Sequence, residues 1–202
     1  MVIQLLGSCM LQAKKITCKR DHRVLFEELS FSLDRGSALQ VCGINGAGKS
    51  TLLRILAGLY EEFDGEVEWD LEDYPLFSGH RAGVKDLMTA RENLLWAANL
   101  YGQNVSRDEI DEALSQVSLN GFETVACGAM SEGQRRRVGL ARLYLLDNPV
   151  WILDEPFTAI DTDGVLRITQ RINEHLAGDG VVVFASHLEV SIENMQKLEL
   201  AR

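Results

Sequence analysis

The sequence has little proline and lacks a long apolar run. No stretch of its 202 residues approaches the roughly 20 apolar residues that a membrane-spanning helix needs, so no segment is predicted to cross a bilayer. Proline occurs 3 times, and 46% of the residues are hydrophobic against 25% charged, which is not the composition of a disordered chain. We predict one domain, or a core with one grafted subdomain, that buries a sizeable core.

Paired cysteines are also missing. The four cysteines are Cys9, Cys18, Cys42 and Cys127, and no two of them have the CxxC spacing that zinc sites and redox pairs use. We therefore interpret them as free thiols in a reducing cytosol.

Basic residues are in the minority. The chain has 20 lysines and arginines against 30 aspartates and glutamates, which gives a net charge of −10. Proteins whose main partner is DNA or RNA usually present a basic face to the phosphates, so we predict no nucleic-acid partner. A nucleotide is not excluded, because backbone N–H groups and a few cations can hold one locally.

The first residues lack the features of an export signal. Leu6-Gly7-Ser8-Cys9 is similar to a lipoprotein cleavage site, but no basic segment precedes it and the apolar stretch is too short. We expect Met10, directly before the first predicted strand, to be the natural start.

Strand and helix patterns alternate along most of the chain. Alternating or continuous apolar residues predict strands at about 11–17, 29–33, 37–42, 66–69, 150–153 and 181–184. Apolar residues three and four apart predict helices at about 49–59, 89–119, 131–146 and 163–176. This pattern indicates an α/β fold whose strand–helix alternation is interrupted by a helical insert.

A glycine-rich loop follows the third predicted strand. Gly43–Ser50 matches GxxxxGK[ST] at every fixed position, between a strand and a helix, where the phosphate-binding loop of a nucleotide site belongs. Lys49 is predicted to bridge the β- and γ-phosphates, Ser50 to bind Mg²⁺, and Thr51 to touch the α-phosphate or cap the helix. The other predicted nucleotide contacts of the loop are Gly43, Asn45, Gly46, Ala47 and Gly48.

Two carboxylates end the apolar strand that begins at Val150. At the carboxyl edge of a parallel sheet they would lie beside the phosphate loop. Asp154 is predicted to hold Mg²⁺ through water, and Glu155 to polarise the water that attacks the γ-phosphate. His187 follows the next apolar strand and is predicted to reach the γ-phosphate. The predicted catalytic residues are therefore Lys49, Glu155 and His187.

A hydroxyl and a glycine stand at the start of the third predicted helix, in Met130-Ser131-Glu132-Gly133-Gln134. A helix N-terminus of this kind is a second anion site. One chain cannot easily fold this helix onto its own phosphate loop. The three arginines that follow, 135–137, are interpreted as a solvated helix face rather than a nucleic-acid patch, because the protein is acidic.

Segment 130–142 resembles the LSGGQ signature and helix of ABC ATPases, and Ala159-Ile160-Asp161 resembles their D-loop. The family's elements occur in its order over about residues 11–201. The resemblance implies a P-loop NTPase of ABC type, with one ABC ATPase domain over 1–202. A mixed core sheet with flanking helices and a small antiparallel β subdomain would occupy about 10–78 and 149–202. A helical subdomain with the signature would occupy about 79–148.

The resemblance also implies pairing with a second copy of the chain. The signature of one copy would close over ATP held by the other, so that Ser131 and the Gly133 N–H touch the partner's γ-phosphate. Gln134 and Asp161 would join the nucleotide contacts. Glu132 replaces a glycine of the family and is expected to face away, because a phosphate would repel its carboxylate.

The chain departs from the family at two places. ABC ATPases stack an aromatic side chain on adenine, whereas this chain has Arg20 there, with His22 nearby. Because a guanidinium can stack on a base, Arg20 is predicted to bind the nucleotide. The glutamine where core and insert meet is replaced by His80 or Arg81. An arginine would not ligate Mg²⁺, so coupling to the membrane subunit is expected to run differently.

Within the family the chain is most similar to the CcmA-type, or haem-exporter-type, ATPases of cytochrome c maturation. The similarity rests on 79–85, 92–94, 140–143 and 151–161. It implies a translocase of the haem-transporting class that uses ATP and Mg²⁺ and releases haem-loaded chaperone. The implied partners are a CcmB-type integral membrane permease and a haem-handling membrane protein. The implied location is peripheral, on the cytoplasmic face of the bacterial inner membrane.

Other functions stay open on the sequence. The ATPase of a different small-substrate or lipoprotein ABC exporter would share these motifs. A mechanical ATPase of DNA repair would carry long coiled coils between phosphate loop and signature, whereas 58–131 contains no sustained heptads. A nucleotide-gated adaptor without turnover is disfavoured by the intact Lys49, Asp154 and Glu155.

Overall fold

A computed structural model describes residues 9–20, 23–72 and 74–200 and divides the chain into two compact units. The first unit contains the chain up to Phe77, Pro149–Glu155 and the chain from Ile172 onward. The second contains Ser78–Asn148 and Pro156–Arg171. The interpretation of the first eight residues, and that of His22, lies outside the described residues.

Two sheets form the first unit. In chain order the strands are β1 (Cys9–Arg20), β2 (Arg23–Asp34), β3 (Ala38–Cys42), β4 (Asp64–Trp69), β5 (Leu76–Ser78), β6 (Val150–Asp154), β7 (Val181–Ala185) and β8 (Met195–Glu199). In the smaller sheet, β1 lies between β2 and β4 and is antiparallel to both. The larger sheet has the order β5-β6-β7-β3-β8, and its β6–β7, β7–β3 and β3–β8 pairs are parallel. The order brings the carboxyl ends of β3, β6 and β7 to one edge.

The described residues contain five α-helices. In chain order they are α1 (Lys49–Leu56), α2 (Ala90–Leu100), α3 (Arg107–Gln116), α4 (Glu132–Leu145) and α5 (Thr162–Ala177). Leu52, Leu53 and Leu56 of α1 are buried in the core of the first unit, which is the apolar face that the sequence spacing predicts. None of the helices in the described part of the chain has the length and apolarity of a bilayer-spanning segment.

The second unit packs α2, α3 and α4 around its own apolar core. Leu94, Ile110, Leu114 and Val138 are fully or almost fully buried there. The predicted single helical stretch 89–119 is two helices, α2 and α3. The break follows Tyr101, because Gly102 has a φ of +67°, which ends a helix at little steric cost.

The arginine triplet corrects the prediction of a solvated face. Arg136 has only 5% of its surface exposed, and its Nη1 donates to the carbonyl oxygens of Gly79 at 2.9 Å and His80 at 3.2 Å. This arginine therefore faces a neighbouring segment rather than water. The prediction is wrong for Arg136.

Candidate nucleotide-binding site

The phosphate loop connects β3 to α1 at the carboxyl edge of the larger sheet. Gly46 and Gly48 have φ values of +79° and +103°, a left-handed backbone that favours glycine. A Cβ on Gly48 would also lie 3.1 Å from the Phe26 ring. Within the described residues, no side chain caps the start of α1. The first amides of the helix therefore point toward any anion held in the loop.

Lys49 lies inside this loop rather than on its surface. The residue is 8% exposed, and its Nζ donates to the carbonyl oxygens of Gly43 at 2.7 Å and Ile44 at 3.2 Å. The ammonium is thus held where phosphate oxygens cradled by the loop amides would meet it.

The two carboxylates lie where β6 ends. Asp154 is the last residue of β6 and is 3% exposed. Glu155 turns out of the strand with a φ of +54°, an uncommon conformation for a non-glycine residue. Its backbone N–H donates to the carbonyl of Ala185 on β7 at 2.9 Å. This bond ties the backbone turn at Glu155 to the neighbouring strand.

His187 joins the loop to the catalytic strand. Its Nε2 lies 3.0 Å from Asn45 Oδ1, 3.4 Å from Lys49 Nζ and 3.6 Å from Glu155 Oε1. The three predicted catalytic residues and one loop residue therefore form one cluster. This is the geometry expected of a centre that transfers a phosphoryl group to water.

The donor set of this edge fits Mg²⁺ and a nucleotide triphosphate. Ser50 lies in the exposed first turn of α1, and Asp154 contributes a buried carboxylate. Mg²⁺ takes hard oxygen ligands and is commonly held by one or two protein groups together with substrate phosphates. Thr51 and Ala47 lie in the same turn and loop, and Arg20 stands at the exposed end of β1. Their roles as nucleotide contacts stay predictions.

The predicted signature forms the N-terminus of α4 in the second unit. The Ser131 hydroxyl accepts from the Gln134 N–H at 3.2 Å, and the Gln134 Oε1 accepts from the Ser131 N–H at 2.9 Å. This reciprocal pair is a capping box. A Cβ on Gly133 would lie 2.9 Å from the carbonyl oxygen of Ala159, so any larger residue would displace the predicted D-loop.

Asp161 caps the start of α5. Its carboxylate accepts from the Gly164 N–H at 3.0 Å and from Arg137 Nη2 at 2.9 Å. The pKa of this carboxyl lies below its ordinary value, first because of the Gly164 bond and then because of the Arg137 charge. The structure therefore assigns Asp161 bonds within its own chain, and its predicted contact with nucleotide stays a prediction.

The segment that replaces the family's glutamine is part of the second unit. His80 and Arg81 are exposed there and line a cavity of about 550 Å³. Glu132 lines the same cavity. That its carboxylate faces away from phosphate stays a prediction. Sequence reasoning missed Arg136, whose side chain hydrogen-bonds the backbone of this segment. The available signal was Gly139, because a glycine inside a helix marks a close backbone approach.

Comparison with known proteins places the fold and the family. The ABC transporter family model matches residues 26–158. A cytochrome c biogenesis ATP-binding export protein CcmA from Saccharophagus degradans is 42% identical over 93% of this chain and 91% of its own length. Its identity and coverage confirm the resemblance stated from the motifs.

Solved structures agree. An ABC transporter ATP-binding protein from Pyrococcus furiosus superposes with a TM-score of 0.82 at 26% identity, over 94% of this chain and 96% of its own. An ATP-binding cassette solved as a dimer with ADP and phosphate superposes with a TM-score of 0.77 at 24% identity, over 89% and 88%. The predicted ABC-type α/β fold is confirmed. The chain belongs to the ABC transporter family, as an ATP-hydrolysing subunit in the group of the cytochrome c biogenesis ATP-binding export proteins CcmA.

Proposed function

We propose that two copies of this chain hydrolyse Mg²⁺-bound ATP between them and so drive cytochrome c biogenesis from beneath a membrane permease. The observation that carries the catalytic part is the cluster around His187, whose Nε2 lies 3.0 to 3.6 Å from groups of Asn45, Lys49 and Glu155. A cluster that joins the phosphate loop to a strand-end carboxylate suits phosphoryl transfer to water.

Each residue of the cluster has a separate task. Lys49 offsets the charge on the β- and γ-phosphates, where its ammonium exchanges two loop carbonyls for phosphate oxygens. Glu155 orients water in line with the γ-phosphate and polarises it. His187 keeps that carboxylate and the loop in fixed relation while its ring faces the γ-phosphate. Bound at Ser50 and Asp154, Mg²⁺ supplies charge neutralisation of the phosphates.

A second copy supplies what one chain leaves out. The capped end of α4 presents the exposed Ser131 and a neutral Gln134, beside Glu132, whose carboxylate would face away. Such a helix N-terminus suits an anion held by another molecule. Two-fold pairing would bring this end of each copy to the phosphate loop of the other. The solved neighbour that binds ADP and phosphate as a dimer supports this arrangement.

The membrane assignment follows the relatives. The relative from Saccharophagus degradans is named as a cytochrome c biogenesis export protein. We infer that this chain docks on a CcmB-type permease at the cytoplasmic face of the inner membrane. There its turnover would serve haem handling and the release of a haem-loaded chaperone.

Two measurements test the proposal. Glu155→Gln with Mg²⁺-bound ATP is expected to form a stable dimer by light scattering and to lose turnover; a monomer under saturating ATP contradicts the shared site.

In a bacterium that lacks its own CcmA-type ATPase, the wild-type chain should restore covalent haem in c-type cytochromes, and Glu155→Gln should not. A chain that hydrolyses ATP but restores no cytochrome c would serve a different small-substrate or lipoprotein exporter.

A further inference from the structure

One face of α4 holds the backbone of the 79–83 segment. Arg136 donates through Nη1 to two successive carbonyl oxygens, those of Gly79 and His80. Six residues further along, Arg142 Nη2 donates to the carbonyl oxygen of Ala82 at 3.1 Å. Gly139 lies three residues from each arginine, and residues three apart are neighbours on a helix surface. Three carbonyls of a five-residue segment are thus paired with a single helix.

Gly139 lies between the two arginines and lets the segment come close. A Cβ at this position would lie 2.5 Å from the carbonyl oxygen of Ala82, so with any other residue the segment would have to move away. Arg142 also donates from Nε to the carbonyl of Gly139 at 2.8 Å, and burial lowers the pKa of its guanidinium. We call Arg136, Gly139 and Arg142 the α4 clasp.

Burial makes the clasp firm. Arg136 is 5% exposed, and separating a buried guanidinium from two of its hydrogen-bond acceptors is costly. The segment therefore follows α4 when the helix moves. Ser131 caps the same helix five residues before Arg136. A displacement of the helix N-terminus is therefore passed to the 79–83 segment through less than two turns of α4.

We propose that Arg136 is a positioning residue for ATP hydrolysis, which fixes His80 and Arg81 to the signature helix so that nucleotide bound at Ser131 sets their position. The inference rests on the proposed function, in which Ser131 meets the nucleotide of the second copy. An arginine suits this task because the two N–H groups on its Nη1 are held in the rigid guanidinium plane, one for each carbonyl, whereas a lysine ammonium is a point donor on a flexible stem.

Amide hydrogen exchange in the Glu155→Gln background tests the path directly. Adding Mg²⁺-bound ATP is expected to form the dimer and to slow exchange at residues 80–84 at least fivefold. With Arg136→Met added, the dimer should still form, but the slowing at 80–84 should disappear. Full protection of 80–84 in an Arg136→Met dimer overturns the inference and leaves the proposed function intact. Failure of Glu155→Gln itself to dimerise overturns the proposed function.

Steady-state kinetics in the otherwise wild-type chain supply a second readout. Arg136→Met is expected to lower kcat about tenfold with an unchanged KM for ATP, because the phosphate loop is untouched. Arg136→Lys should recover part of kcat. If the Met and Lys variants have the same melting temperature, a loss of helix stability cannot explain this difference in kcat. Arg107→Met is the matched control, since that guanidinium is exposed on α3, and its kcat should equal that of wild type. A wild-type kcat for Arg136→Met also overturns the inference.

Folding of the variants is checked by thermal unfolding before either measurement. If Arg136→Met does not fold, Arg136→Lys and Gly139→Ala replace it in the exchange experiment. Gly139→Ala keeps both arginines and displaces the Ala82 carbonyl, so it should also remove the ATP-dependent slowing at 80–84. Retained slowing in both variants overturns the inference.

Discussion

The N-terminal amides of α1 and α4, which have no partner within their helices, are satisfied in different ways. Among the described residues no side chain caps α1, which follows a left-handed Gly48. At α4, Ser131 and Gln134 satisfy each other's N–H groups at 3.2 and 2.9 Å. The amides at the start of α1 are left for a ligand to satisfy, whereas the start of α4 is already capped by its own side chains without a ligand. This difference is expected if phosphate is gripped at α1 and only covered at α4.

The caps of α2 and α3 sharpen the comparison. Both helices also begin with a capping box, but their third residues are Glu92 and Glu109. In α4 the same position is the neutral Gln134. A carboxylate supports a helix N-terminus as well as an amide does, so stability does not explain the choice. The proposed dimer gives a reason, because an anion held by the second copy would then lie at this end.

The largest expected effect is at α1. Lys49→Ala should reduce turnover about a thousandfold or more, because the charge that offsets the developing phosphate charge is removed, a loss of several kcal/mol in the transition state. The ATPase rate at saturating ATP measures this loss. Lys19→Ala, at an exposed position near the end of β1, is the control and should turn over normally. Wild-type turnover by Lys49→Ala would refute the site.

The next largest effect is at α4. In the proposed dimer the Ser131 hydroxyl covers the partner's nucleotide. Ser131→Arg should therefore leave ATP binding intact but abolish ATP-induced dimerisation, because a long cation takes the place of that hydroxyl. Size-exclusion chromatography of the chain with ATP in the Glu155→Gln background is the measurement.

Ser106→Arg is the matched control for Ser131→Arg. It removes the equivalent cap of α3 and adds the same charge, so both variants should lose about 1 kcal/mol of stability. Only the α4 variant should lose the dimer. Equal dimerisation of the two variants would mean that the α4 cap is an ordinary helix end.

Much of this comparison was visible in the sequence. The phosphate loop and Asp154-Glu155 were predicted because fixed residue types at fixed spacing are demanded by phosphate chemistry. β6 and β7 were predicted from their unbroken apolar runs, which a strand buried on both faces requires. By contrast, β5 has only three residues, and β8 lies at a sheet edge with Gln196 and Lys197 between its two apolar residues, so neither has a recognisable pattern.

Buried polar contacts were beyond sequence reasoning. Arg136 stands in a run of three arginines whose local pattern is that of a solvated face, and its burial depends on where residues 79–80 fold, 56 and 57 positions away. The Asn93 side chain likewise bonds the backbone of Lys85 in both directions, at 2.7 and 3.1 Å. Such partners are chosen by tertiary structure, which periodicity does not encode.

A smaller effect tests the neutral residue itself. Gln134→Glu gives α4 the same capping box as α2 and α3, so the melting temperature should be unchanged. Turnover should fall about tenfold, or about 1.4 kcal/mol, because a carboxylate then lies near the partner's γ-phosphate. Glu92→Gln makes the reverse change in α2 and should leave the rate unchanged. A Gln134→Glu enzyme with full activity would remove the electrostatic reason for the difference between the caps.

The smallest expected effect is the pH dependence of the acidic caps. The pKa of Glu109 is lowered by its bonds to the Ser106 hydroxyl and backbone N–H. A lowered folded-state pKa stabilises the fold above the unfolded value of about 4.3 and loses that contribution as pH falls through the folded value. Between about pH 5 and pH 3, the melting temperature of Glu109→Gln should therefore fall less steeply than that of wild type. Glu27→Gln, which removes a charge from exposed β2, separates this local effect from net charge. If both variants change the pH dependence of the melting temperature equally, net charge rather than the cap accounts for the acid sensitivity. In that case the glutamine in the α4 cap gives that helix no advantage at low pH over the glutamates of α2 and α3.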